Sequence, residues 1–337
     1  MSAGVLAACV AARGAPIPGP PAPVPAGGAL AGERPRVLVS TDLGGADEDD
    51  MQSLVHLLVY ADVLDIAGLV ASPPGAGRAG HILDIIDAYA RDHATLRAHA
   101  ARYPEPAELR RVTKQGAIES SPAAGWSTPT EGSRWIVAQA RRPDPRPLYL
   151  LVWGSITDVA QAVHDAPDIK DRLRIYFVSS WNRQQDQAAF AYLDTQHRDL
   201  WFIQAETTFR GWYMGGVQDG DLDNARFVAT HVCGRGALGV LFCRLSPALG
   251  QASTGRIKMG DTPSLAYLLR GNPDEPASDH WGGRFVRHPD RPRWWLDDPD
   301  PAWRVADRPG AGTVSRYREQ FLRDWQQRMT RLPAAHP

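Results

Sequence analysis

One segment, residues 36–61 (RVLVSTDLGGADEDDMQSLVHLLVYA), constrains the fold more than any other part of the chain. It begins with a short apolar run, Val37 to Val39, whose two valines are β-branched and which is typical of a buried strand. A turn through Gly44 and Gly45 follows, and then a helix whose apolar residues, from Met51 to Val59, recur on one face. A buried strand followed by an amphipathic helix is the repeating unit of an α/β fold built on a parallel sheet.

The turn between this strand and this helix is crowded with carboxylates: Asp42, Asp47, Asp49 and Asp50. The helix dipole favours acids in a first turn, which accounts for Glu48 and Asp49, and Asp47 suits an N-cap. Asp42 at the strand end is not explained in this way. So many like charges cost stability unless a cation or bound protons relieve the repulsion. Ligands bind beyond the carboxyl ends of strands in open α/β sheets, so the pattern predicts a site for a hard cation.

Strand and helix signals alternate from residue 36 to about residue 271. The predicted strands are 37–40, 66–72, 148–153, 175–179 and 201–205, and the predicted helices are 50–61, 80–92, 132–140, 156–166 and 263–270. Such alternation predicts an α/β fold with a mostly parallel open sheet, a Rossmann-like core and helices on both faces.

The chain divides into a leader and one predicted domain. Residues 1–33 are rich in Ala, Gly and Pro, which predicts disorder. Residues 34–331 are predicted to form a core (34–271), an irregular Trp- and Pro-rich excursion (272–312) and a C-terminal helix (313–331). The start of the leader resembles the end of a lipoprotein signal before Cys9, but it lacks a basic region and a long apolar stretch. The resemblance to a lipoprotein signal favours export (periplasmic, lipid-anchored or extracellular), and a cytoplasmic location is the alternative.

Composition excludes several classes of function. The formal net charge of −1 argues against nucleic-acid binding, and no run of about 20 apolar residues predicts a membrane span. Cys233 and Cys243 form a disulfide if the protein is exported or remain two buried thiols. No Cys-x-x-Cys pair is present, which argues against a thiolate zinc site.

Four segments together carry a family resemblance. The acidic motif STDLGGADEDDMQSL resembles the amino-terminal signature of the inosine–uridine nucleoside hydrolases, and more closely that of a bacterial nucleoside-hydrolase-like family often described as cellulose-binding proteins. The supporting segments are LYLLVWGSITDVAQAV (148–163), YFVSSWN (176–182) and KMGDTPSLAYLL (258–269). The resemblance extends over roughly residues 34–286 and implies a nucleoside-hydrolase-like fold.

The resemblance also implies a mechanism. Calcium would be held at the sheet edge by Asp42, Asp50, Asp261 and the backbone carbonyl of Trp153. Asp49 would be the general base for a water activated by the metal, which attacks an anomeric carbon through an oxocarbenium-like transition state. The chain is thus expected to be a glycosidase similar to an N-ribohydrolase. An N-cap role for Asp261 explains that residue equally simply and is compatible with metal binding.

Departures from the family pattern affect the expected substrate. Ser40 replaces an acidic residue, and Gly260 stands where the family has the His that protonates the leaving group. Ala189 and Ala191 occupy the positions of a Glu and an Asn that contact ribose. We therefore expect the substrate to be an N- or O-glycoside other than an ordinary nucleoside.

Other residues are candidates for the site because they lie in loops expected at the same edge of the sheet. Arg78, Glu131 and Asn182 are predicted substrate contacts, and His81 and His280 are candidates for the missing acid. Four loop tryptophans suit either sugar rings or the core: Trp126, Trp181, Trp212 and Trp281.

Two other functions compete with the glycosidase. A carbohydrate-binding protein or pseudoenzyme would keep the metal without turnover, which the missing His favours. An Asp-nucleophile phosphotransferase needs Asp-x-Asp after its first strand, and STDLG supplies one Asp. The expected partner is a small glycoside or sugar, and a homo-oligomer remains open.

Overall fold

An eight-stranded sheet organises the protein. The structure, a computed structural model, describes residues 22–24, 27–44, 48–74, 77–243 and 255–334. Its strands are β1 (Arg36–Thr41), β2 (Asp65–Ala71), β3 (Thr113–Gln115), β4 (Leu148–Val152), β5 (Leu173–Val178), β6 (Phe202–Ala205), β7 (Phe285–Arg287) and β8 (Trp294–Asp297). Their order is β3-β2-β1-β4-β5-β6-β8-β7. All neighbours are parallel except β7 and β8, which pair antiparallel.

Helices cover both faces of this sheet. They are α1 (Asp49–Val59), α2 (Ala79–His99), α3 (Pro106–Val112), α4 (Glu131–Ala140), α5 (Thr157–Asp165), α6 (Ser180–Gln185), α7 (Gln187–Gln196), α8 (Asn224–Phe227), α9 (Gly236–Cys243), α10 (Thr262–Leu269), α11 (Ala311–Ser315) and α12 (Arg318–Met329). Successive side chains of a strand point to opposite faces. Val37 and Val39 accordingly pack with α1, α2 and α10, whereas Leu38 packs with α4, α5 and α7. The predicted α/β class, with helices on both faces, is confirmed.

The segment predicted as an irregular excursion contains two strands. β8 extends the sheet beyond β6 because aromatic residues pair across the two strands. The Trp294 ring stacks on Phe202 at 4.1 Å, and the Trp295 ring lies 4.9 Å from Trp201. Frequent Pro and Asp hide this pairing in the sequence, and β3, with three residues, is equally hard to recognise.

The predicted disordered leader, residues 1–33, lies mostly outside the described residues. Its described end packs against the domain: Val24 and Ala29 are buried in the core. Gly28 has φ +74°, and a Cβ there would lie 2.4 Å from the carbonyl oxygen of Leu268 at the end of α10. The Gly-rich sequence that predicted disorder thus permits close packing at this point.

Three further findings bear on predictions made from the sequence: a disulfide, the membrane question and the C-terminal helix. Cys233 and Cys243 form a disulfide, which resolves the alternatives left by the sequence and ties the end of α9 to the turn before it. Within the described ranges, no helix combines the length and hydrophobicity needed to cross a membrane. The predicted C-terminal helix is divided into α11 and α12.

Candidate metal and glycoside site

Three carboxylates from two distant segments meet at the carboxyl edge of the sheet. Asp49 and Asp50 begin α1, and Asp261 lies at the N-cap of α10. One oxygen from each of the three lies within 4.8 Å of the others. Asp50 and Asp261 are buried, whereas Asp49 is half-buried. A set made only of carboxylate oxygens fits a hard divalent cation.

The capping explanations for these acids are not supported. The Asp261 side chain makes no capping hydrogen bond to α10. Helix α1 has Glu48 as its N-cap, also without a side-chain cap, and Asp47, predicted to fill this role, lies outside the described residues. The carboxylates of Asp49, Asp50 and Asp261 instead face one cavity.

Neighbouring strands orient the cluster. At the end of β1, the hydroxyl of Thr41 donates a hydrogen bond to Asp50 Oδ1. Trp153, directly after β4, donates its backbone N–H to the Ser40 carbonyl at 2.7 Å. Its indole N–H donates to Ser264 Oγ at 2.7 Å, and that hydroxyl donates to the Asp261 carbonyl at 2.6 Å. Trp153 therefore links β1 and β4 to the start of α10.

A glycine allows the strand ends to approach. A Cβ at Gly154 would lie 2.8 Å from Asp42 Cβ and 2.8 Å from Ser72 Oγ. Only a residue without a side chain fits between the ends of β1, β2 and β4. Asp42 is thereby held beside Trp153 in the wall of the same cavity.

The cavity has a volume of about 450 Å³ and opens at the carboxyl ends of β1, β4 and β5, where open α/β sheets bind ligands. Its lining residues come from these strand ends, from the segment after β6 and from the start of α10: Asp42, Asp49, Asp50, Trp153, Val178, Ser179, Ser180, Trp181, Asn182, Phe209, Arg210, Tyr213, Lys258 and Asp261.

Among the predicted substrate contacts, Asn182 lines the cavity. Its amide donates to the carbonyls of Trp153 and Val178, so both of its N–H groups are used within the protein. The side-chain oxygen is then the atom that can meet a ligand. A carbonyl oxygen accepts at two positions, and within the described part of the chain the Trp153 carbonyl uses one of them, for the bond from Asn182.

Arg78 and Glu131 are outside this lining. Arg78 is exposed at the N-cap of α2. Glu131 is exposed at the start of α4 and pairs with Lys114 at 3.0 Å. The hydrogen bond from Lys114 lowers the pKa of the Glu131 carboxyl. In the chain, Arg78 follows β2 and Glu131 follows β3.

The residues expected to bear on the leaving group and sugar are dispersed. His280 is buried, with its ring nitrogens 2.9 Å from the Ser278 carbonyl and 2.7 Å from the Asn272 carbonyl. His81 Nδ1 lies 3.0 Å from the Leu43 carbonyl. Neither histidine is in the cavity lining. Ala189 is buried in the core and Ala191 is exposed on α7, so these positions do not line the cavity either.

The four loop tryptophans also separate. Trp212 and Trp281 are buried in the core, and Trp126 stacks on His164 at 3.6 Å. Trp181 lines the cavity and is 60% exposed. It follows Ser180, whose φ of +29° is uncommon for a residue with a side chain. Trp181 is therefore the tryptophan of this group available to a ligand.

The sequence prediction missed the cavity wall that follows β6. Phe209, Arg210 and Tyr213 lie there, and Arg210 donates to the Tyr213 hydroxyl at 3.2 Å. Burial raises the pKa of Tyr213; Arg210 opposes this, and the charges of Asp49 and Asp261 add to it. The rule that ligands bind after parallel strands could have indicated this segment.

Comparisons with known proteins agree with this fold. The family model described as "Cellulose-binding Sde182, nucleoside hydrolase-like domain" matches residues 36–285. A comparison with curated proteins found no match. A nucleoside hydrolase-related protein from Saccharophagus degradans, associated with carbohydrate metabolism, is 23% identical with a TM-score of 0.67, covering 88% of this chain and 72% of that one. A plant nucleoside hydrolase is 13% identical with a TM-score of 0.50, covering 88% and 99%.

Proposed function

Because the chain belongs to the family of cellulose-binding Sde182, nucleoside hydrolase-like domains, we propose that it hydrolyses a glycosidic bond in a Ca²⁺-dependent reaction. The observation that carries this proposal is the meeting of Asp49, Asp50 and Asp261 within 4.8 Å at the carboxyl edge of the sheet. Asp261 lies more than 200 positions from Asp49 and Asp50 in the chain, and a bound cation would relieve the repulsion among the three carboxylates.

The proposed ligand set has four members: Asp50 and Asp261 belong to the group of three carboxylates, and Asp42 lies outside that group in the cavity wall. Asp42, Asp50, Asp261 and the Trp153 carbonyl would hold Ca²⁺, which takes oxygen ligands in flexible geometry. When bound, the ion activates water and stabilises negative charge. The bond from Thr41 orients Asp50 before the ion arrives.

Asp49 is proposed as the general base. It is half-buried beside Asp50 and faces the cavity, where it can accept a proton from the attacking water. Oxygen then bonds to the anomeric carbon as the bond to the leaving group breaks. The departing atom requires a proton or must leave as a stable anion.

The substrate is proposed to be a glycoside other than an ordinary nucleoside. Gly260 supplies no acid, and the positions of the family's ribose contacts, Ala189 and Ala191, are outside the cavity lining. The family description and the Saccharophagus degradans relative support a carbohydrate as the substrate. Trp181 supplies an exposed aromatic face suited to a sugar ring.

Turnover of chromogenic glycosides tests this proposal. The purified protein, stripped with a chelator or reloaded with Ca²⁺, is assayed on p-nitrophenyl furanosides, p-nitrophenyl pyranosides, inosine and uridine. We expect Ca²⁺-dependent cleavage of an aryl glycoside well above that of inosine and uridine. Efficient nucleoside hydrolysis would contradict the proposed substrate class, and turnover independent of Ca²⁺ would contradict the mechanism.

The second candidate is a carbohydrate-binding protein without turnover, which the family description favours. Its signature would be Ca²⁺-dependent binding of cello-oligosaccharides, measured by calorimetry, with every aryl glycoside left intact. Binding together with cleavage assigns the protein to the glycosidases instead.

We also infer an exported location. The Cys233–Cys243 disulfide supports an oxidising compartment, where such bonds persist. Fractionation of the producing cell, with thiol alkylation before lysis, tests this inference. A cytoplasmic protein in which both Cys233 and Cys243 are alkylated would contradict it.

A further inference from the structure

We propose that Tyr213 is the catalytic residue that protonates the leaving group, and that Arg210 is the positioning residue that orients its hydroxyl. The inference rests on the proposed glycosidase function. It supplies the acid that Gly260 lacks, from a different element of the fold.

The hydrogen bond between the two side chains has only one polarity. A guanidinium has donors and no acceptor, so Arg210 Nη1 donates and the Tyr213 oxygen accepts, at 3.2 Å. The phenolic hydrogen must therefore point elsewhere. Among the described residues, no acceptor receives it, and both side chains line the cavity that holds Asp49 and Asp261.

The segment that carries Tyr213 is held firmly. The backbone carbonyl of Tyr213 accepts a hydrogen bond from the side-chain amide of Asn224 at 2.9 Å. The buried Arg318 guanidinium donates to the Trp212 carbonyl at 2.6 Å and to the Leu222 carbonyl at 2.9 Å. A Cβ at Gly211 would lie 2.0 Å from the Ala311 carbonyl oxygen, so this segment is pressed against α11. A group fixed in this way is preorganised for proton transfer.

Electrostatics agree with a donor role. Burial, the largest influence, raises the pKa of Tyr213, so the phenol keeps its proton at neutral pH. Arg210 acts in the opposite direction and stabilises the phenolate that forms when the proton leaves. The acid is thus always loaded, and its conjugate base has a partner.

The step balances. The bond from the anomeric carbon to the leaving atom breaks, and that atom takes the proton of Tyr213. Water oxygen bonds to the anomeric carbon and gives one proton to Asp49. That proton returns to the Tyr213 phenolate through solvent, which restores both groups after one hydrolysis.

The test uses a series of aryl glycosides that share one sugar and differ in the pKa of the leaving group, from dinitrophenol to phenol. In the Ca²⁺-loaded protein, we expect Y213F to cleave the dinitrophenyl substrate at nearly the original rate and the phenyl substrate about 10²–10⁴-fold more slowly. The dependence of kcat/KM on leaving-group pKa then becomes steeper. Y192F is the matched control, because Tyr192 bonds His197 outside the cavity at 2.8 Å.

A second readout does not depend on activity. In protein labelled with ¹³C at tyrosine Cζ, the signal absent from Y213F identifies Tyr213, and R210Q should move its titration to higher pH. Ca²⁺ affinity and thermal stability should match the original protein in both variants.

The outcomes separate the two proposals. Equal loss by Y213F on all leaving groups, or an unchanged profile, overturns the acid role while leaving the glycosidase intact. A steep profile in K258Q instead of Y213F assigns the acid to Lys258. Failure of the unmodified, Ca²⁺-bound protein to cleave even the dinitrophenyl glycosides overturns both proposals.

Discussion

Gly260 and Asp49 approach so closely that a side chain at position 260 would shift the carboxylate: a Cβ at Gly260 would lie 2.9 Å from Asp49 Oδ2. The ring of Phe209 would lie 3.5 Å from the same Cβ. The family resemblance suggests that a His restored at position 260 would assist poor leaving groups. We expect such a side chain also to shift the Asp49 carboxylate, the proposed base, because its Cβ would lie too close to Oδ2.

The first prediction concerns Gly260→Ala. We expect kcat/KM to fall about 100-fold on good and poor leaving groups alike, because small displacements of a reacting group have effects of this size. Gly80→Ala is the control, since a Cβ there meets open space. Both are measured with aryl glycosides and by thermal unfolding. A loss of kcat/KM confined to poor leaving groups would mean that the space beside Gly260 accommodates the leaving group, and would contradict a displaced base.

The second prediction distinguishes Asp49 from Asp50. D49N should lower turnover about 10²–10⁴-fold, as expected for a general base, and retain Ca²⁺ affinity. D50N should lose Ca²⁺ affinity and with it the rise in melting temperature that added Ca²⁺ produces. Calorimetric titration and thermal unfolding measure both. Equal loss of affinity in the two variants would remove the distinction between base and ligand.

The third prediction follows from the neighbour of Asp50. Thr41→Val removes the hydroxyl that donates to Asp50 Oδ1 at the end of β1 while keeping the branched shape. We expect weaker Ca²⁺ binding with an intact fold, seen by calorimetry and circular dichroism. Thr195→Val, on the exposed face of α7, is the control. Unchanged Ca²⁺ affinity in T41V would show that Asp50 needs no orientation from the strand.

The fold follows from local patterns more directly than the site does. The strand–helix alternation that starts at Val37 indicates a parallel sheet, and this sheet brings the ends of β1 and β4 together. Asp49 and Asp50 are prominent in the sequence because they stand in an acidic run. Tyr213 and Arg210 have no such motif, and their meeting depends on how the segment after β6 packs against α11 and Arg318.

Loop residues were the least predictable. Glu131 and Asn182 are expected in loops but lie in helices, Glu131 at the start of α4 and Asn182 in α6. Asn182 lines the cavity, whereas Glu131 pairs with Lys114. The difference arises from strand order, because β4 and β5 border the acidic cluster whereas β3 is at the edge of the sheet. A single sequence does not reveal that order.

The fourth prediction concerns Trp181. Its side chain is 60% exposed in the cavity wall, so Trp181→Ala should leave stability unchanged. Loss of an aromatic face should raise KM for the glycoside roughly 3- to 10-fold with little change in kcat. Trp126→Ala, which removes a ring stacked on His164, is the control. A fall in kcat with constant KM would contradict a role in binding the sugar.

The last prediction concerns acid stability. His56 on α1 is buried against Tyr60, Trp212 and Trp325, and burial, with a smaller effect of Arg328, lowers its pKa from 6.5 to about 3. The unfolded chain therefore binds a proton below pH 6.5 that the folded protein excludes. The contribution of neutral His56 to the free energy of unfolding is fully present above pH 6.5 and declines as the pH falls toward 3. The loss is about 1.4 kcal/mol at pH 5.5.

His56→Phe removes this titration while keeping a ring in the aromatic cluster. Its free energy of unfolding in urea, compared at pH 7.5 and pH 5.5, should decline by about 1.4 kcal/mol less than that of the original protein. Comparing each variant with itself at two pH values cancels any packing change that Phe introduces. His99→Gln, at an exposed position, is the control and should retain the original decline. If H56F loses as much stability as the original protein, the folded protein accommodates a charged His56, and another group governs the acid response.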